Sequence, residues 1–227
     1  MYGLKQAPLQ WNKHLHNTLT RLGFKRNTYD PCIYQLQSQQ GIIVLAVVVD
    51  DILVASSALS LINKFESDMK QVYQLTSLGV PKRLVGLNIT MTEDGLTIDQ
   101  EQFVKDIAAD FKQSDCKPVS SPASLGDVPL GASPALPPNN RYLSLVGSLL
   151  WASLTRPDIA VAISLACSKS VHPTKADMAA AIRILRYLLH TPHVKLTFRR
   201  PADRTLRVCT YVDAAWSNAS GCNSRFG

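Results

Sequence analysis

The chain has 227 residues, 46% of them hydrophobic and 18% charged, a balance typical of globular proteins and not of disordered ones. Its longest apolar run, 42–49, is too short to cross a bilayer, which needs about twenty apolar residues. The five widely spaced cysteines fit neither a disulfide framework nor a short-spaced zinc site, so we expect reduced, mostly buried thiols.

The net charge of +7 is concentrated in one stretch of the chain. Residues 169–207 contain nine lysines and arginines against two acids, and the remaining residues are balanced. A basic stretch of this kind suits a polyanion such as nucleic acid. The alternative is a solvated surface that happens to be basic, and the charge alone does not decide between these two interpretations.

The start of the chain predicts a helix followed by two strands. The helix covers 7–22 and ends at Gly23. Its apolar face consists of Trp11, Leu15, Leu19 and Leu22. The segments 32–36 and 42–49 predict strands joined by a polar turn, and the second, apolar on both faces, should be a buried central strand.

An acidic pair follows the second predicted strand directly. Asp50 and Asp51 precede another apolar run, 52–55, which predicts a hairpin with two carboxylates at its tip. Adjacent like charges repel, and a divalent cation with a preference for oxygen ligands, Mg²⁺ or Mn²⁺, relieves that repulsion. With a third carboxylate on a neighbouring strand, such a pair can hold two metals. Taken alone, an Asp-Asp pair is more often an ordinary polar turn.

Helix and strand continue to alternate as far as residue 113. One helix is predicted from the face formed by Leu61, Phe65, Met69 and Val72. A second hairpin pairs 84–91 with 96–98 around Asp94-Gly95. Another helix is marked by Phe103, Ile107 and Phe111.

A proline-rich segment follows and predicts an extended, mobile linker. Its prolines are Pro118, Pro122, Pro129, Pro134, Pro137 and Pro138.

Three helices and a strand are predicted after the linker. The helices cover 141–153, 158–170, opened by Pro157, and 174–190. The third carries a predicted buried stripe of Met178, Ile182, Leu185 and Leu189. Its flanking face holds Lys175, Arg183, Arg186 and His190. The alternating segment 206–212 predicts a strand that ends at Asp213.

Ordered motifs run along the whole chain and resemble the reverse transcriptase region of copia-type retrotransposon polyproteins. Those of the first half are Tyr2-Gly3-Leu4-Lys5-Gln6-Ala7-Pro8 with Trp11, Phe24-Lys25, Tyr29-Asp30-Pro31-Cys32-Ile33-Tyr34, Val48-Val49-Asp50-Asp51, Leu78-Gly79, Gly86-Leu87-Asn88-Ile89 and Gln100. Those of the second half are Val146-Gly147-Ser148-Leu149-Leu150-Trp151, Thr155-Arg156-Pro157-Asp158-Ile159, Arg183-Ile184-Leu185-Arg186-Tyr187-Leu188 and Tyr211-Val212-Asp213-Ala214-Ala215-Trp216. Each motif is weak by itself, whereas the ordered set is specific.

The resemblance implies an α+β fold with four parts. Residues 1–113 would form a partial palm and thumb, and 114–140 the proline-rich linker. Residues 141–204 would form a helical connection, and 205–227 the truncated start of an RNase H-like domain with its first strand.

The resemblance also implies roles for individual residues. Asp50 would be a metal ligand and Asp51 its less directly coordinating partner, while Asp213 would be the first RNase H carboxylate. Gly3 would let the backbone approach the nucleotide or template closely. The residues expected to contact nucleic acid or nucleotide are Lys5, Gln6, Arg183 and Arg186. For these four a solvent-facing position is the alternative.

Three departures from the family pattern bear on activity. Met1 stands inside a motif where the family usually has Leu, so we expect the fingers, the front of the palm and the first catalytic aspartate to lack counterparts. Val48 replaces the usual Tyr. The further RNase H carboxylates would lie beyond Gly227.

The implied function is RNA-directed DNA synthesis by a fragment that is inactive alone, with Mg²⁺ or Mn²⁺ bound only in a completed site. The rival hypothesis is a catalytically dead remnant that at most binds nucleic acid, and a third is an unrelated basic helical binding module. The expected partners are an RNA template, a DNA primer or an RNA–DNA hybrid inside the cell, with no membrane and no specific protein partner.

Overall fold

The computed structural model describes residues 5–123, 133–200, 203, 209, 210 and 212. These residues form a mixed α/β structure with two antiparallel sheets and two separate hydrophobic cores. The first core lies between helices and the first sheet, and the second lies among helices later in the chain. We call them the sheet core and the helical core.

The sheet core is built from the first six elements. They are α1 (Ala7–Arg21), β1 (Lys25–Arg26), β2 (Ile33–Ser38), β3 (Gly41–Val48), β4 (Asp51–Ser56) and α2 (Leu59–Lys70). The strands pair in the order β1-β2-β3-β4, each antiparallel to the next. Gly23 ends α1 as predicted, because its φ of +90° lets the N–H groups of Gly23 and Phe24 bond back to the last turn of the helix.

Strand β3 is central, as predicted, but it is buried on one face only. Ile43, Leu45 and Val47 point into the sheet core and are at most 6% exposed. The alternate side chains from Ile42 to Val48 are partly exposed. Within the described residues α1 and α2 cover the same face of the sheet. The expectation of a fully buried strand is therefore corrected.

The second sheet combines strands from two distant parts of the chain. Its strands are β5 (Arg83–Leu84), β6 (Leu87–Thr92), β7 (Gly95–Asp99) and β8 (Leu196–Arg199), paired in that order. The predicted 84–91 strand is interrupted, because Val85 and Gly86 both have positive φ, 49° and 80°, and form a turn. The β6–β7 hairpin is confirmed, whereas β8 was not predicted.

The helical core contains α3 (Glu101–Asp110), α4 (Tyr142–Ala152), α5 (Ala160–Ser168) and α6 (Lys175–His190), with a short 3₁₀ helix at Pro157–Ile159 before α5. Helix α3, expected to belong with 1–113, shares this core with the three helices of 141–204. The hydrophobic contacts therefore run across the predicted boundary between those two parts. No helix in the described part of the chain is long and apolar enough to cross a membrane.

The buried face of α6 differs from the predicted stripe. Its fully buried residues are Ala181, Ile184, Leu185 and Leu188. Met178, Ile182 and Leu189 are only partly buried at the edges of this face. The reason is that α6 packs against α3, α4 and α5 together, which requires a broader face than a heptad seam.

The described flanks of the proline-rich segment are fastened to α6. Leu136 N–H donates to the Pro173 carbonyl at 2.9 Å, and Lys175 N–H donates to the Pro134 carbonyl at 2.9 Å. Where the sequence predicted a mobile linker, residues 133–136 are held against the start of α6 by backbone hydrogen bonds.

The described cysteines differ from the expected buried thiols. Cys32 and Cys209 are exposed, and Cys116 and Cys167 are partly exposed. All four are free thiols. Of the four, Cys167 packs against the helical core as a partly buried residue.

Candidate active-site hairpin

The two adjacent carboxylates lie at the tip of the β3–β4 hairpin, where the sequence predicted them. The strands pair from Ile43–Ser56 to Val48–Asp51, which leaves Val49 and Asp50 as a two-residue turn. Asp50 lies in the turn and Asp51 is the first residue of β4. Both are exposed, so the hairpin presents two carboxylates to solvent at one edge of the sheet.

The turn is held in a strained backbone conformation. Val49 has a φ of 54°, a region that β-branched residues rarely occupy. Such a conformation costs on the order of 1–3 kcal/mol and persists only when the surroundings impose it. Asp50 is not among the described non-glycine residues with positive φ, so Val49 carries the strain of this turn.

A hydrogen bond from α1 fastens this turn. The indole Nε1 of Trp11 donates to the Val49 carbonyl oxygen at 2.7 Å. The Trp11 ring is packed edge-on against Tyr73, with 5.4 Å between centroids. The Tyr73 hydroxyl in turn donates to Thr18 Oγ1 of α1 at 3.0 Å. The indole is thereby positioned, and the turn is pre-organised by a group outside the hairpin.

The hairpin provides the donor chemistry of a divalent-cation site but not its full complement of ligands. Carboxylate oxygens are the ligands that Mg²⁺ and Mn²⁺ prefer. Within 5–123, 133–200 and the four isolated described residues, no cluster of three or more His, Cys, Asp or Glu could hold a metal ion. Asp50 and Asp51 therefore fit only part of such a site.

The residues predicted to contact nucleic acid near the start of the chain lie at the beginning of α1. Lys5 and Gln6 are exposed, and the Gln6 side chain makes no capping hydrogen bond. Trp11 lies about 8 Å further along the helix axis, at 1.5 Å per residue. This end of α1 is therefore the end that reaches the Val49 turn. Gly3 and Asp213 lie outside the described residues.

The two arginines of α6 hold a segment of their own chain. Arg186 donates from Nε at 2.9 Å and from Nη2 at 2.7 Å to the Lys117 carbonyl. Arg183 Nη2 donates to Ser121 Oγ at 3.2 Å. These contacts fix residues 117–121 on α6. These bonds within the chain do not test phosphate binding by Arg183 and Arg186, which remains a prediction.

A buried polar cluster was missed at the sequence level, although its residues belong to a matched motif. Arg156, 6% exposed, pairs in a bidentate manner with Asp158 at 2.9 and 2.7 Å. It also donates to the carbonyl and hydroxyl oxygens of Thr191, while the Tyr187 hydroxyl donates to Asp158. Burial tends to raise the pKa of Asp158, but the hydrogen bonds from Arg156 and Tyr187 outweigh it, so the pKa lies below its ordinary value. The motif therefore has a structural role in joining the start of α5 to the end of α6. We call Arg156 and Asp158, with their partners Tyr187 and Thr191, the Arg156–Asp158 clasp.

Comparison with known proteins identifies the family. Residues 1–124 match the family described as reverse transcriptase (RNA-dependent DNA polymerase). The chain belongs to the reverse transcriptase family. The family generally binds nucleic-acid templates and primers and uses divalent metal ions.

Several of the proteins that this chain resembles are transposon proteins, which confirms the copia-type resemblance. It is 34% identical over 219 residues to a protein assigned to transposon Ty5-1 of Saccharomyces cerevisiae, covering 95% of this chain and 70% of the yeast protein. It is 30% identical over 218 residues to the retrovirus-related Pol polyprotein from transposon RE1 of Arabidopsis thaliana. It is 32% identical over 231 residues to that from transposon TNT 1-94 of Nicotiana tabacum.

The extent of these matches differs between the relatives. They cover 96% and 95% of this chain, but only 15% of the RE1 polyprotein and 17% of the TNT 1-94 polyprotein. The chain thus spans a small part of the Pol polyproteins it resembles. No solved structure matches it.

Proposed function

We propose that this chain supplies the carboxylate hairpin of a retrotransposon reverse transcriptase and binds template–primer nucleic acid, but does not extend a primer alone. The observation that carries the proposal is the strained Val49–Asp50 turn, fastened by Trp11 so that two carboxylates stand at a sheet edge. Strain kept at an exposed turn by a dedicated hydrogen bond is characteristic of functional sites.

In this proposal the sheet core corresponds to part of the palm. The β6–β7 hairpin and α3 correspond to the primer-contacting hairpin and thumb, and α4–α6 to the connection. Residues 205–227 are the start of the RNase H-like domain, with Asp213 its first carboxylate. The family match over residues 1–124 supports the first of these assignments.

Asp50 is proposed as a ligand of Mg²⁺ or Mn²⁺ and Asp51 as its less directly coordinating partner. In two-metal nucleotidyl transfer the cations activate a 3′-hydroxyl and stabilise the leaving pyrophosphate. Since the described residues fit only part of such a site, the chain's own contribution is to present two oxygen donors on a rigid turn. Polymerisation requires a further carboxylate from another strand.

The second candidate is a catalytically dead remnant that binds nucleic acid at most. It is favoured by one specific observation, the absence of a third ligand beside Asp50 and Asp51 in the described part of the chain. The two candidates differ in whether the hairpin still binds metal. They agree that residues 1–227 alone do not polymerise.

The function is tested with a fluorescent DNA primer annealed to an RNA template. Anisotropy should show binding that weakens steeply with salt, because phosphate contacts release counterions. Primer extension with Mg²⁺ or Mn²⁺ should be undetectable. Absence of binding at low salt would overturn the nucleic-acid proposal, and extension that disappears in Asp50→Asn would show that the chain is a complete polymerase.

A further inference from the structure

Tyr29 is the most exposed large hydrophobic side chain in the described part of the chain, at 97%. It lies in the loop 27–32 between β1 and β2. Isolated exposed aromatic rings are common on protein surfaces, so exposure by itself indicates little. The exposure becomes informative because of the structure of the loop that carries the ring and the position of that loop in the sheet.

The loop is held by hydrogen bonds on both sides of Tyr29. Asn27 Oδ1 accepts from the backbone N–H of Tyr29 at 2.7 Å and of Asp30 at 3.1 Å. Asp30 Oδ1 accepts from Cys32 N–H at 2.8 Å, and the Asp30 carbonyl accepts from Ile33 N–H at 3.1 Å. The backbone beneath the exposed ring is therefore fixed, and little ordering entropy is lost when the ring meets a ligand.

The strand register places this loop at the same edge of the sheet as the carboxylate turn. Ile33 of β2 is paired with Ala46 of β3, and Val47 N–H donates to the Cys32 carbonyl at 2.9 Å. Because the two strands are antiparallel, the loop that precedes β2 and the turn that follows β3 lie at the same end of these strands. Tyr29 and Asp50 thus stand on neighbouring connections of one sheet.

Two cations accompany the ring. Lys25 and Arg26 form β1, the strand that leads into the loop, and both are exposed. Arg26 serves the loop itself, because its Nε donates to the Pro31 carbonyl at 2.6 Å and its guanidinium lies over the Tyr34 ring, 5.8 Å from the centroid. Lys25 is therefore the cation that we expect to meet a phosphate. The single acid of the loop, Asp30, turns its carboxylate to a backbone N–H. An exposed aromatic ring beside cations is the combination with which proteins bind single-stranded nucleic acid.

We propose that Tyr29 stacks on an unpaired base of the nucleic acid bound at the Asp50 hairpin, with Lys25 at a neighbouring phosphate. The inference rests on the proposed function and adds a residue that positions the bound strand. An unpaired base is the partner because a paired base already has both faces covered by its neighbours in the duplex. The phenol hydroxyl is not required for stacking.

The test measures binding to three RNA–DNA substrates: a primer–template with an unpaired 5′ template extension, one with an unpaired 3′ primer end, and a blunt hybrid. Tyr29→Ala should weaken binding to a substrate with an unpaired strand about tenfold, within the 1–3 kcal/mol of a stacked base. Blunt-hybrid binding should change little. The overhang that responds identifies the strand.

Matched variants separate stacking from apolar contact and from folding. Tyr29→Phe should bind as the parent does, whereas Tyr29→Leu should behave like Tyr29→Ala. Leu78→Ala, which removes another highly exposed side chain, should have no effect. A 2-aminopurine base in the unpaired strand should change its fluorescence on binding to the parent and to Tyr29→Phe, but not to Tyr29→Leu.

Two outcomes overturn the inference and are distinguishable. If the parent binds none of the substrates at low salt, the proposed function fails and this inference fails with it. If the parent binds but Tyr29→Ala and Tyr29→Leu bind equally well, the proposed function stands and Tyr29 is not a base contact. Tyr29→Ala should leave the thermal unfolding midpoint unchanged, because the ring makes almost no contact in the folded chain.

Discussion

Trp11 and Val49 lie 38 residues apart in the chain, and the Trp11 indole Nε1 donates a 2.7 Å hydrogen bond to the Val49 carbonyl oxygen. The bond joins the first helix to the turn that carries Asp50. Its acceptor belongs to the residue with the strained φ. The position of the carboxylates therefore depends on a side chain that is not part of the hairpin.

We expect Trp11→Phe to loosen this turn. The variant keeps an aromatic ring beside Tyr73 but loses the hydrogen bond, whose net contribution to the free energy of unfolding is about 0.5–1.5 kcal/mol. Urea unfolding measures the loss, and amide exchange should accelerate in the β3–β4 turn. Tyr73→Phe keeps the ring beside Trp11 and removes only its bond to Thr18, so it should loosen the turn less than Trp11→Phe does. Equal exchange in both variants would contradict the role of the indole.

Replacing Val49 with glycine tests the backbone strain. Glycine tolerates positive φ, and Val49 is 68% exposed, so little burial is lost. Relief of about 1–3 kcal/mol of strain should offset the entropy cost of glycine, and the stability should be unchanged or higher. Val48→Gly, in the paired strand beside it, should be destabilising by about 1 kcal/mol. If both variants lose the same stability, Val49 is not strained.

The position of the carboxylate pair could be predicted from sequence, whereas the backbone strain and the Trp11 contact that hold the turn could not. An apolar strand, two acids and another apolar strand predict a hairpin whatever surrounds them. The strain at Val49 has no sequence signature, because valine is a typical strand residue. The contact from Trp11 depends on how α1 crosses the sheet, and its helical periodicity indicated only that Trp11 lies on the apolar face.

Gly95 should be essential for the pairing of β8 with β7. A Cβ atom at Gly95 would lie 2.0 Å from the Phe198 carbonyl oxygen, which cannot yield without moving β8. We expect Gly95→Ala to expose the amides of β8 to hydrogen exchange and to lower the unfolding midpoint.

The control for that variant is Gly86→Ala. Gly86 also has positive φ, but a Cβ there would meet nothing within 4 Å. This change introduces backbone strain without a clash. If Gly86→Ala exposes β8 as much as Gly95→Ala does, the close approach of the strands is not the cause.

The Arg156–Asp158 clasp should make stability depend on acid pH. The folded-state pKa of Asp158 lies below its ordinary value, so its contribution is present above the unfolded pKa of about 3.9 and is lost as pH falls through the lower folded value. Asp158→Asn should be less stable than the parent at pH 7 and lose less stability between about pH 5 and pH 2.

Two further carboxylates serve as references for the pH measurement. Asp99 retains some acid sensitivity in the variant, because Lys195 and Asn88 hold its pKa below the ordinary value despite burial, which opposes the shift. Glu66→Gln breaks an exposed ion pair with Lys70 and should change stability little at any pH. A parent and an Asp158→Asn variant with identical pH profiles would contradict the clasp.

The fold was predictable where contacts are local. The helices and the β3–β4 and β6–β7 hairpins could be predicted from periodicity and from glycine positions such as Gly23. Strand β8 was missed because it pairs with β7, about a hundred residues earlier in the chain, and nothing in 196–199 specifies that partner. The α6 face was misplaced because a stripe read from one helix cannot show that three helices pack on it.

Cation binding at the hairpin tests the central claim most directly. Mn²⁺ is paramagnetic, so titrating it into the isotopically labelled chain should broaden the NMR signals of nearby amides. Because the two carboxylates are only part of a metal site, we expect weak Mn²⁺ association far from saturation, with broadening centred on Val49–Asp51 that disappears in the Asp50→Asn variant and is reduced by Mg²⁺. Broadening that is absent there, or that persists unchanged in Asp50→Asn, would contradict the assignment of this hairpin as the metal-binding part of a reverse transcriptase.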